Sequence, residues 1–169
     1  YLGMPVISTF VLVMGAGFII GGIRSCLIVG ALVLFIALSE YWNRALITAY
    51  MATFAVGISA LLGIVTGSIC ARNEIATKFI LGVCDFFQTF PSFIYLIPVI
   101  LLFGITDTSV MIAAIAYATV PATRYTVEGL RSVPPALQDA ASMSGVSNFQ
   151  RLVSIELPLA FPHIMLGIN

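Results

Sequence analysis

The chain has 169 residues, 60% hydrophobic and only 8% charged, with a mean hydropathy of +1.12. A soluble domain is about 45–50% apolar and about 25% charged, so an ordinary water-soluble globule is excluded and the bilayer is the expected solvent. The formal net charge is +0, which leaves no basic surface for nucleic acid.

Spans are read where about 20 apolar residues pass without a charge. The first runs from Met4 to Ile23 and is stopped by Arg24; it lacks the basic n-region of a secretory signal. The second, Cys26 to Ser39, ends at Glu40 and is short, so Tyr41 and Trp42 are expected to extend it as an interfacial belt. The third runs from Ala45 to Ala71 and ends at Arg72. The fourth lies within Phe79 to Ile105, and the fifth within Val110 to Ala122. A sixth begins near Leu159 and is cut off at Asn169. The expected fold is an all-α membrane protein, a multi-span helical bundle of about five complete spans plus the start of a sixth. Beginning at Tyr1 without an initiator Met, the chain is expected to be an internal piece of a longer protein. Residues 1–40 form N-terminal spans, and residues 41–169 form a core truncated at its C-terminus.

Alternating spans place Arg24, Arg72, Lys78, Arg124, Arg131 and Arg151 on one side, with only Arg44 opposite. That bias makes the shared side cytoplasmic. Glu40 and Asp107 then fall in outer loops. Cys26, Cys70 and Cys84 show no CxxC spacing and read as small apolar side chains.

The fourth segment, "CDFFQTFPSFIYLIPVILLFG", holds Asp85, Gln88, Pro91 and Pro98 inside an apolar run. Each proline removes a helix donor, and broken helix in a bilayer is tolerated only against protein or a water-filled cavity. Asp85 and Gln88 share a helical face and read either as caps near the headgroups or as part of a pathway. Phe86, Phe87, Phe90, Phe93 and Tyr95 lie close together and either line a pathway or pack against lipid and core. Gly17 with Gly21, and Gly63 with Gly67, are spaced for close helix approach.

The longest polar stretch is "RSVPPALQDAASMSGVSNFQRLVSIELP". Pro134 and Pro135 suit the first turn of a helix, Ala136 to Ser144 continue it, and Gly145 suits a C-terminal turn with positive φ. A second helical stretch, Asn148 to Glu156, leads to Pro158, which is expected to interrupt it at the membrane. The product is a rigid knob with alanines on its tip, spanning about residues 134–158. Such a knob suits docking to a cytoplasmic partner better than a simple chain reversal.

These residues resemble the ABC importer permeases. The family signature is Glu-Ala-Ala, three residues, Gly, nine residues, Ile, one residue, Leu-Pro. Here Asp139, Ala140 and Ala141 are followed three residues later by Gly145, then by Ile155, Leu157 and Pro158 at the same spacings. The single departure is Asp139 for Glu. "DFFQTFPSFIYLIPVILLFGI" and "LPLAFPHIMLGIN" are similar to the glycine betaine/proline (quaternary ammonium) branch, and the likeness covers about residues 41–169. Departures at Phe90 and in the "TDTS" of Thr106 to Ser109, read as an outer loop, bear on the substrate.

The resemblance implies a permease subunit of an ATP-driven importer in the bacterial inner membrane. Its partners would be a dimer of cytoplasmic ABC ATPases, a second permease copy and a substrate-binding protein. ATP and Mg²⁺ would be bound by the ATPase; no cofactor or metal is expected in this chain, and no catalysis. The segment around Pro135 to Ser147 would be the coupling helix, with Asp139 either anchoring it through Arg131, Arg151 or a backbone N–H or standing as a solvated surface acid. The substrate would be glycine betaine, proline betaine, choline or a related osmolyte, with Asp85, Gln88, Phe90, Pro91, Phe93 and Tyr95 as pathway candidates and aromatic faces attracting a quaternary ammonium. A permease for another small solute and a secondary transporter are the alternatives; the latter would place ionisable groups mid-span, where this sequence shows almost none. No HExxH or GxSxG motif suggests an intramembrane enzyme, and His163 reads as interfacial.

Overall fold

A computed structural model describes residues 6–169. Its elements are all helical: α1 (Val6–Leu38), α2 (Trp42–Cys70), α3 (Glu74–Gln88), α4 (Leu96–Phe103), α5 (Asp107–Arg131), α6 (Pro135–Met143), α7 (Asn148–Arg151) and α8 (Leu157–Ile168). A single 3₁₀ turn (Ser92–Tyr95) precedes α4, and a π turn (Leu152–Glu156) joins α7 to α8. The expected all-α multi-span architecture is what the chain adopts.

Four helical stretches, Ser8–Leu38, Trp42–Cys70, Asp107–Arg131 and Asn148–Ile168, are long and apolar enough to cross a membrane by length and composition, the first only when counted through its break at Gly21–Gly22. Glu74–Gln88 and Ser92–Phe103, bent by 102°, can form a fifth crossing. Only 11–28% of each long stretch's most apolar window is buried within the chain. Side chains such as Ile19, Ile20, Leu101 and Ile105 point outward, as expected where lipid or another subunit supplies the apolar surroundings.

The chain divides into two compact units, one ending at Met51 and one spanning Ala52–Asn169. In the first, α1 is not straight. Gly21 and Gly22 leave helical geometry, with Gly22 at φ +66°. A Cβ on Gly30 would lie 3.3 Å from Met14, and one on Gly17 would lie 3.5 Å from Val29. Sixteen residues of straight helix would separate Met14 and Gly30 by about 24 Å, so the chain reverses at the two glycines. The two halves match the sequence spans Met4 to Ile23 and Cys26 to Ser39, but the break comes at Gly21–Gly22, ahead of Arg24. Met4 itself lies outside the described residues.

In the second unit α5 is the central helix, packed against α3, α4 and α8. Leu130, Ala160 and Ile164 are buried where α5 meets α8, with Leu152, Leu157 and Ile168 around them. Close approach needs glycine here. A Cβ on Gly129 would come within 2.9 Å of the His163 Cβ, and one on Gly167 within 2.8 Å of the Pro121 carbonyl. His163 is otherwise exposed. Gly63 lies against α5 so tightly that a Cβ would sit 2.5 Å from the Ala122 Cβ and 2.8 Å from the Thr123 nitrogen; at Gly67 it would sit 2.7 Å from the Thr126 Cβ. The expected packing role of Gly63 and Gly67 is met, and because backbone cannot yield, Gly63→Ala should cost about 1–3 kcal/mol. A lowered thermal unfolding midpoint of the purified protein in detergent checks this; an unchanged midpoint contradicts the packing.

Two expectations are corrected. The fifth span does not end at Ala122: α5 continues through Pro121 to Arg131, carrying Arg124 and Glu128 inside the helix. The "TDTS" segment is not a loop but the start of α5. Thr106 caps it, accepting from the Ser109 N–H at 3.2 Å, and the buried Ser109 hydroxyl donates to the Gly104 carbonyl at 2.6 Å.

Candidate functional site

Two sites emerge, the polar knob and the broken span. The knob begins as the sequence predicts. Pro134 and Pro135 occupy the N-cap and first position of α6, where a missing N–H has no partner to lose. Gly145, at φ +73°, reverses the chain in the left-handed region. Ser147 then caps α7, its hydroxyl accepting from the Gln150 N–H at 3.2 Å while the Gln150 side chain accepts from the Ser147 N–H at 2.9 Å.

The knob is held by a run of polar contacts. Gln138 Nε2 donates to the Val133 carbonyl at 3.2 Å, and the Ser142 hydroxyl donates to the Gln138 carbonyl at 2.8 Å. Arg151 Nη1 donates to Ser142 Oγ at 3.1 Å, and Arg151 Nε lies 2.8 Å from Glu156 Oε1. Glu156 is 9% exposed, so this pair is largely withdrawn from water and holds its geometry better than a surface pair. Asp139 is therefore not the anchor. It is exposed and has no hydrogen bond or ion pair among the described residues, while Arg131 binds Thr77 and Arg151 takes the anchoring role.

The two alanines part company. Ala140 is exposed, whereas Ala141, 5% exposed, faces into the protein. The loop exposes four large apolar side chains, Leu137, Met143 (90% exposed), Val146 and Phe149, among polar ones that include Asp139, Ser144 and Asn148. Ile155 and Leu157 are half-buried, Leu157 against the α5–α8 core, and Pro158 is exposed. Pro158 does not interrupt the helix. The backbone widens into the π turn just before it, with the Leu157 N–H reaching back to the Leu152 carbonyl, and continues into α8.

The broken span is built from α3, the 3₁₀ turn and α4. Asn73 caps α3 through bonds from the Ile75 and Ala76 N–H groups. The helix stops at Gln88, and Pro91, without a donor, sets the start of the 3₁₀ turn. Phe86 stacks edge-on with Phe87 and Phe90 at centroid distances of 5.5 and 5.0 Å. Phe87 reaches Tyr95 at 5.9 Å, and Tyr95 reaches Tyr117 of α5 at 5.5 Å. The Tyr95 hydroxyl donates to the Phe87 carbonyl at 2.7 Å, closing the bend. Phe93 is outside this cluster, 64% exposed, with no ring contact among the described residues.

Beside the rings, Arg124 bonds Asp85 and Gln88 of α3, the latter at 3.1 Å, and Glu128 of its own helix at 2.9 Å. The sequence places Asp85 and Gln88 on one face, and they are; it misses Arg124 and Glu128, assigned to an inner loop or passed over. Their four-residue spacing was the available signal. Arg124 lies seven residues, about 10 Å, inside α5 from Arg131. The charges that α3 and α5 bring together here are thus mutually paired.

The chain is similar to permeases of known transport systems. It is 68% identical, over all of its length, to the trimethylamine N-oxide transport system permease protein TmoV of Pelagibacter ubique, covering 24% of that protein. It is 42% identical over 99% of its length to TmoV of Ruegeria pomeroyi, covering 26%. With the glycine betaine/proline betaine transport system permease protein ProW of Escherichia coli the identity is 34% over 99% of the chain and 48% of the relative. The chain therefore spans about a quarter to a half of these relatives. The family model for binding-protein-dependent transport system inner membrane components matches residues 63–168, from the Gly63 contact through the knob to the end of α8. The chain belongs to that family of multi-pass inner-membrane transport components.

Proposed function

We propose that this chain forms part of the membrane core of an ATP-driven importer for methylated amines, with α6 as the element through which a cytoplasmic ATPase moves the spans. The observation that carries the reading is the knob: a short helix that exposes Leu137 and Met143, held to Val133 by the Gln138 side chain and tied through Ser142 and Arg151 to Glu156 at the head of α8. A tie of this kind can transmit rigid-body motion, because displacing α6 must carry Arg151 and, through its ion pair with Glu156, α8, or break the exposed Ser142–Arg151 hydrogen bond. A second permease copy or domain and a substrate-binding protein complete the machine. ATP and Mg²⁺ belong to the ATPase.

Met143 and Leu137 are the residues to test. Apolar anchors in a docking surface contribute about 2 kcal/mol or more each, so Met143→Asp with Leu137→Asp should reduce ATP-dependent uptake by tenfold or more at unchanged membrane abundance and release the ATPase on purification. Uptake and ATPase retention at wild-type levels would refute docking.

The transported solute is proposed from two sources. The more similar relatives carry trimethylamine N-oxide in their names, and others glycine betaine or carnitine. The rings of Phe86, Phe87, Phe90, Tyr95 and Tyr117 offer the faces that attract a methylated nitrogen. Uptake of labelled trimethylamine N-oxide in a knockout strain, with glycine betaine, choline and proline as competitors, ranks the candidates. Uptake driven by an ion gradient in vesicles without ATP would instead favour secondary transport.

A further inference from the structure

Behind the knob lies a cleft of about 430 Å³ that shares Gln138, Arg151 and Glu156 with the coupling tie and adds residues that the transport reading does not use. Arg72 at the end of α2, Arg131 at the end of α5 and Arg151 of α7 line it, against the single carboxylate of Glu156. Three cations thus meet one anion in a chain whose net charge is +0. Arg72 Nη2 donates to the Asn148 carbonyl at 3.3 Å, Arg131 Nη1 to Thr77 Oγ1 at 3.2 Å and Arg151 Nη1 to Ser142 Oγ at 3.1 Å, while Arg151 Nε is ion-paired with Glu156 Oε1 at 2.8 Å. Each guanidinium carries five N–H donors, so all three retain donors with no partner among the described residues. Ser68 also lines the cleft. It is 8% exposed, and its hydroxyl has no hydrogen-bond partner among the described residues. A helical serine ordinarily returns its proton to the preceding turn, and a buried hydroxyl without a partner marks a place where one is expected.

We propose that this cleft binds the phosphate of an anionic phospholipid headgroup from the cytoplasmic leaflet. Guanidinium groups from three separate elements match the several oxygens of a phosphate. A lipid is favoured over a free phosphate by position and lining. The cleft opens where α2 and α5 end and the helix leading into α8 begins, on the side that the Lys and Arg bias assigns to the cytoplasm. The half-buried Ala71 and Leu152, backed by the buried Leu130 and Val133, give its mostly polar lining an apolar part that glycerol can contact. That leaflet carries the anionic lipids that attract juxtamembrane arginines. A bound headgroup would join α2, α5 and α7 at the base of the knob and fix the platform on which α6 stands.

Native mass spectrometry of the complete transporter, delipidated and then titrated with phosphatidylglycerol or phosphatidylcholine, tests this without any transport measurement. Wild type should retain phosphatidylglycerol about tenfold more tightly than phosphatidylcholine, a preference set by headgroup charge. Arg72→Gln with Arg131→Gln should abolish the preference, Ser68→Ala should weaken it, and Arg44→Gln, on the opposite side, should leave it intact. Arg72→Gln alone, which gives up only a bond to a backbone carbonyl, covers the case in which the double variant fails to fold. Equal retention of phosphatidylglycerol by wild type and a folded Arg72 variant overturns the site. Protection of the lipid-free protein by millimolar inorganic phosphate, with no selective lipid retention, keeps the phosphate chemistry but overturns the lipid as its source. Unchanged lipid binding together with loss of the ATPase from the Arg72 variant also overturns it, and assigns the cleft to the partner protein.

Discussion

Replacing Gly145 by valine should lower ATP-dependent uptake tenfold or more while leaving the permease in the membrane. The effect should be one of backbone alone. A Cβ on Gly145 would meet nothing within 4 Å, so no clash is introduced, but φ is +73°. An L-residue in that region costs about 1–2 kcal/mol, and a β-branched one is worse placed still. The chain would relieve the strain by opening the turn between α6 and α7. That would pull Ser142 away from Arg151 and uncouple the knob from Glu156. Asparagine tolerates the left-handed region, so Gly145→Asn should keep most of the uptake. Uptake assays on the two variants, normalised to membrane abundance, decide the matter. Normal transport by the valine variant would mean that the turn does not carry the coupling, and equal losses in both would mean that something other than conformation is at stake.

The second large effect is expected at Arg124. Its guanidinium is the only group of opposite charge bonded to Asp85 and Glu128 among the described residues. Arg124→Gln would leave two carboxylates facing a membrane-spanning interface. Translocon-type scales put an unpaired aspartate near the bilayer centre at about 2.5–3.5 kcal/mol. The Arg124 side chain is 32% exposed in this chain and the carboxylates more so, which argues for a smaller figure, about 2 kcal/mol in all. Recovery of folded transporter from membranes should still fall by more than tenfold, since 1.4 kcal/mol is one decade. Asp85→Asn in the Arg124→Gln background should restore part of it. A double-mutant cycle read by thermal unfolding in detergent should give a coupling between residues 85 and 124 of about 1 kcal/mol or more. A coupling near zero would show that the pair contributes nothing to holding α3 against α5.

The difference between the expected and observed course of α5 has a simple cause. Hydropathy ends a span where charge begins, and it stopped this one at Ala122. Arg124 and Glu128 neutralise each other on one helix face, and Asp85 joins them from α3, so the charges extend the helix instead of ending it. Pair formation across 39 residues cannot be read from local pattern. The knob was legible because its cues are local: proline at the first turn and glycine where φ must be positive. Asp139 was misjudged for the complementary reason. Its charge suggested an anchor, but which way a side chain faces on a nine-residue helix depends on what that helix packs against, and the packing turned Ala141 inward and left Asp139 in the open. The break at Pro91 was legible as a break, whereas its 102° angle was not, because proline removes a bond without dictating the direction taken afterwards.

The π turn at Leu152–Glu156 explains how two residues five apart come to meet. In regular α winding each residue advances about 100°, so positions 151 and 156 would point roughly 140° away from one another. The wider coil, bonded from each N–H to the carbonyl five residues earlier, narrows that angle and brings the fifth residue toward the side it started from. Arg151 Nε and Glu156 Oε1 thereby come within 2.8 Å. One added residue of circumference thus sets the angular phase between the part of the protein outside the lipid and the rod that enters it. Removing a single residue from that coil would rotate everything beyond it by about a quarter of a revolution.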